Sequence, residues 1–61
     1  MATMDDILQN VNQPVINHLI NLVVSGHSRQ AINELIKLEG HWITKADAIN
    51  FILHIHKVYE R

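Results

Sequence analysis

Val15–Val24, reading Val-Ile-Asn-His-Leu-Ile-Asn-Leu-Val-Val, is apolar around far more than one helical face and carries no formal charge. On a helix, Leu19, Leu22 and Val23 continue a stripe begun by Ile7, Leu8, Val11 and Val15, while Ile16, Ile20 and Val24 lie about 60 to 100° around the same cylinder. One packing partner cannot cover both rows. A third row, Asn10, Gln13, Asn17 and Asn21, holds neutral amides where a solvated helix normally shows lysine and glutamate. It is either a wet face or a polar strip inside a helix–helix contact, where amides set register without burying charge. In both cases the apolar rows need cover.

The chain around this stretch is short. Sixty-one residues make a single domain, 1–61, and a domain of that size buries only about 60% of the surface its unfolded chain exposes. Nine Ile, six Leu and five Val are a large aliphatic share for so small a globule, so a second copy of the chain is expected to complete the core. The expected dimer contact is Val15, Ile16, Leu19, Ile20, Leu22 and Val23, helped by Ile52, Ile55 and Tyr59.

Local signals divide the chain into helices. Thr3 with Asp6 fits a capping box that starts a helix at Met4 or Asp5. Pro14 has no N–H for the Asn10 carbonyl and disfavours helical geometry at Gln13, so a break is expected near Asn12 and Gln13, leaving 4–12 as a hinged N-terminal arm. Gly26 supplies a left-handed cap after a helix ending at Ser25, and Ser28 is expected to cap the next, Arg29–Glu39, with Ala31, Ile32, Leu35, Ile36 and Leu38 as its stripe and Arg29, Glu34 and Lys37 exposed. After Gly40 and the turn His41, Trp42, Ile43, the pair Thr44 and Asp47 makes a second capping box for a final helix to about Tyr59. Lys45, Asp47, Asn50, Lys57 and Glu60 are its expected wet face. No alternating strand pattern, repeat or low-complexity run interrupts this, so the fold class is all-α, a three- to four-helix unit completed as a helical homodimer.

Charge and chemistry narrow the function classes. A formal charge of −1, with Asp5 and Asp6 the only charges before Arg29, gives no electrostatic case for nucleic acid or an anionic membrane. The ten mostly apolar residues from Val15 fall short of the ~20 needed to span a bilayer. The acidic N-terminus is unlike a secretion signal, and a chain without cysteine suits a reducing cytoplasm, its own or a host's. His27 and His41 flank a helix at positions about 16 Å apart, and His54 and His56 point to nearly opposite sides of theirs, so no metal set or other cofactor is expected. No nucleophile, base and orienting group come together in the pattern, so no enzyme is expected. His18, between Val15 and Leu22 on the uncharged helix, is expected to be a hydrogen-bonded interface histidine.

Gly26 before Ser28 and Ala31, followed by a late apolar helix, resembles ubiquitin-associated three-helix domains. The family's Met-Gly-Phe loop is replaced here by Ser25-Gly26-His27 and the second loop is longer, so no binding residue carries over. Helix, turn at Gly40 and helix also form the outline of a helix-turn-helix, but the second helix offers a groove only Lys45, Asp47 and Asn50.

The leading expectation is therefore a homodimeric inhibitor or adaptor that binds another protein, of the type small phage- or plasmid-borne regulators represent, with His41, Trp42, Asn10 and Asn17 as its partner-binding residues. The alternative is a dimeric helix-turn-helix-like DNA-binding regulator.

Overall fold

The computed structural model describes residues 3–59, which form four helices in the order α1 (Met4–Asn10), α2 (Gln13–Val24), α3 (Ser28–Glu39) and α4 (Lys45–Tyr59). No strand occurs among the described residues. Glu60, expected on the wet face of α4, lies outside them.

Several helix ends have a local cause. Thr3 and Asp6 form the expected capping box: the Thr3 N–H donates to the Asp6 carboxylate at 3.0 Å, and the Asp6 N–H donates to the Thr3 hydroxyl at 3.2 Å. Helix α1 ends with Val11 in extended geometry and α2 starts from an equally extended Asn12. Pro14 is the second residue of α2, where the N–H that it lacks would have no intrahelical partner. Beyond Val24, Gly26 takes φ +87 and donates to the Val23 carbonyl, while His27 donates to the Leu22 carbonyl at 2.7 Å. These two bonds make a Schellman motif, which satisfies carbonyls the helix end would otherwise leave open.

Two local expectations need correction. Ser28 is the first residue of α3 and makes no cap; His27 stands at the N-cap with its carbonyl accepting from Ala31, because the three-residue connection turns into helix one position earlier. Asp47 is not on a wet face but 4% exposed, since its carboxylate turns back to accept the Thr44 N–H at 3.1 Å while its own N–H donates to the Thr44 hydroxyl at 3.1 Å.

Helices α2, α3 and α4 each pack against the other two. Ile16, Leu19 and Val23, drawn from both apolar rows of α2, are thus covered from two sides within one chain, while Val24 of the second row stays 63% exposed. Ile16, Leu19 and Val23 of α2, Ala31 and Leu35 of α3, and Ala48, Phe51, Ile52 and Ile55 of α4 form one buried cluster, which Ile7 and Val11 join from the α1 end. The Cα radius of gyration is 10.3 Å, against about 10 Å for a folded chain of this length.

Candidate interaction surface

The expected dimer residues divide by burial. Ile16, Leu19, Val23, Ile52 and Ile55 belong to the core of the single chain. Val15, Ile20 and Leu22 are half-buried against that core, and Tyr59 is exposed. What the core leaves outside is a set that shares only Tyr59 with the expected one: Leu8, Val24, Leu38, Leu53, Val58 and Tyr59 are between 46% and 63% exposed.

Three of these six meet at one place. A groove of about 240 Å³ runs between α1, α2 and α4, with Leu8, Val58 and Tyr59 on its lining together with Gln13, Ile20 and His54. Buried Ile16, Phe51 and Ile55 also line it. Apolar residues of α2 and α4 that lie beyond the helices' shared core contact contribute to its lining. On α4, Phe51 and Ile55 face the core, while Val58, one turn further, extends past the end of the cluster. Helical periodicity alone could not find the groove, since the same spacing that buries Ile55 also carries Val58.

Among the described residues no Lys, Arg, Asp or Glu lines the groove, and Gln13 and His54 are polar side chains on its lining. The Gln13 amide donates to the Asn17 side-chain oxygen at 3.0 Å, and the Asn10 amide donates to the Asp6 carbonyl at 2.7 Å. Asn10, Gln13, Asn17 and Asn21 are all exposed, so the amide row is an outward face of the single chain. No charged residue occurs from Gln13 through Ser28.

His18 lies outside the groove. Its Nε2 stands 3.5 Å from a Glu34 carboxylate oxygen, joining α2 to α3, with the two side chains 52% and 33% exposed. Glu34 is therefore half-buried beside α2 rather than on a free outer face. The contact is an ion pair only when the imidazole is protonated, and at this exposure such a pair contributes at most about 1 kcal/mol.

The fourth region is the turn between α3 and α4. Trp42 is half-buried, packs against the core and donates its indole N–H to Glu39 Oε1 at 2.6 Å, while His41 beside it is exposed. Trp42 thus closes one end of the bundle while leaving part of its ring at the surface.

Among the described residues no three His, Asp or Glu side chains are placed to hold a metal ion, and no helix is long and apolar enough to cross a membrane. Set against protein-family models, curated proteins and solved structures, the chain matches none of them.

Proposed function

We propose that this chain is a non-enzymatic interaction protein, a self-associating inhibitor or adaptor that acts by binding another protein. The observation that carries the reading is the apolar surface left after the core is complete, above all the meeting of exposed Leu8, Val58 and Tyr59 at one groove. Isolated exposed leucines are ordinary on any protein surface, but apolar side chains gathered around a concavity mark a contact site.

The surroundings support the same reading. Charged residues are depleted at the centres of protein interfaces, and the outer face of α2 carries none. The partly exposed Trp42 with His41, and the amides of Asn10 and Asn17, provide uncharged contacts for the target.

The test is affinity capture from the native cell with a tagged chain, alongside variants His41→Glu and Asn17→Glu. Both positions are exposed, so a charge there leaves the core intact. The expected result is a stoichiometric protein partner that one or both variants lose while keeping their helical circular dichroism. Salt-sensitive recovery of duplex DNA, with no protein, would replace this reading by the helix-turn-helix one.

A further inference from the structure

We infer that α1 is an exchangeable arm: two copies of this chain trade their Met4–Asn10 helices, each docking beside α2 and α4 of the other copy. This rests on the self-association in the reading above and gives it a mechanism.

The first argument is how α1 is held. Among the described residues its hydrogen bonds close within the segment itself: Thr3 and Asp6 bond to each other, Ile7 donates to Thr3, Asn10 to the Asp6 carbonyl and Val11 to Ile7. Attachment to the bundle falls to apolar side chains, buried Ile7 and Val11 with half-buried Met4 beside them. By contrast, α2, α3 and α4 each pack against the other two. A helix of seven residues is not stable alone in water, so α1 is helical only while docked and leaves as a unit when those few contacts open. It leaves a seat shaped for Ile7 and Val11, and the same segment of another copy matches that seat in every side chain.

The hinge is the second argument. Only Val11 and Asn12 separate α1 from α2, with φ and ψ of −89 and 134 at Val11 and −59 and 142 at Asn12. The Asn12 side chain makes no capping bond that would hold this corner. Short connections invite exchange because they restrict how a segment folds back onto its own chain. Pro14 acts in the same direction. Its ring disfavours helical geometry at Gln13, the first residue of α2, and so favours the extended form that swings α1 outward.

Exchange preserves the surface proposed for the target. The same residues meet in the exchanged pair as in the closed chain, so each groove is rebuilt with Leu8 supplied by the other copy. Because the arm makes the same docking contacts either way, the closed chain is favoured chiefly by the effective concentration of its own arm, which is of millimolar order for a short linker. Exchange is therefore expected as the protein approaches that concentration.

Sedimentation equilibrium and isotope-filtered NMR on the full chain, at about 1 mM protein, test this. The mass is expected to rise from the 7.0 kDa of one chain toward twice that value. In protein refolded from equal parts of labelled and unlabelled chain, nuclear Overhauser contacts from the Ile7 methyls to α2 and α4 are expected between differently labelled copies. Inserting Gly-Ser-Gly between Val11 and Asn12 lets each arm reach its own seat more freely, and is expected to keep the helical circular dichroism while raising the dimer dissociation constant about tenfold or more. A folded dimer in which Ile7 meets only its own copy, or whose dissociation constant the insertion leaves unchanged, overturns the exchange but not the self-association. A wild-type monomer at that concentration overturns both.

Discussion

The indole N–H of Trp42 donates to the Glu39 carboxylate across 2.6 Å, and the Glu39 carbonyl accepts the backbone N–H groups of Trp42 and Ile43, each at 3.1 Å. One residue at the end of α3 thereby holds both the backbone of the turn and the side chain that closes the core. Glu39→Ala is expected to lower unfolding stability by about 1 kcal/mol, below the roughly 1.5 to 3 kcal/mol of a bond to a charged group because the pair is partly exposed. Glu39→Gln, which keeps an acceptor, is expected to lose less. Trp42 is the only tryptophan, so its emission in a denaturant titration reports this end of the bundle directly. Identical unfolding curves for Glu39→Ala and wild type would remove the role given to this bond.

Core and surface leucines are expected to separate sharply. Leu19 and Leu35 are fully buried in one chain, so truncation to alanine costs about 2 to 5 kcal/mol. In a domain this small that approaches the whole folding free energy, and Leu19→Ala is expected to be largely unfolded at 37 °C by circular dichroism. Leu53→Ala, at an exposed position, is expected within about 0.5 kcal/mol of wild type. A well-folded Leu19→Ala would contradict the placement of α2 at the centre of the bundle.

The two capping boxes differ in burial. Asp6 is exposed and Asp47 buried, although both carboxylates accept the backbone N–H of the threonine three residues earlier. Asp6→Ala is expected to cost about 0.5 to 1 kcal/mol, and Asp47→Ala about 2 kcal/mol, because the Asp47 carboxylate is buried and its bond to the Thr44 N–H is partly sheltered from water. Thermal melting of the two variants measures the difference; equal shifts would mean that burial adds nothing to the second box.

The glycines fail in different ways. Gly26 has φ +87 and open space around an added Cβ, so Gly26→Ala is expected to cost about 1 kcal/mol of backbone strain and Gly26→Asn less. Gly40 has an ordinary right-handed conformation, but an added Cβ would fall on the Ile36 carbonyl oxygen, which accepts the Gly40 N–H at 2.8 Å. Gly40→Ala and Gly40→Asn are therefore expected to be similarly destabilising. If asparagine rescued Gly40 but not Gly26, the assignment of strain and crowding would be reversed.

The helical class, the two capping boxes and the left-handed Gly26 were legible in the residues because each is an interaction between groups no more than a few positions apart. The breadth of the apolar surface on α2 was equally legible, since angular position on a helix follows from spacing alone. Which neighbour covers that surface does not follow from spacing. α3 and α4 of the same chain cover Ile16, Leu19 and Val23, and only their packing together placed these residues inside while leaving Leu8 and Val58 outside. The same holds for Glu34 beside His18 and for the groove itself. These relationships join residues far apart in the chain, and they come into being only where separate helices meet.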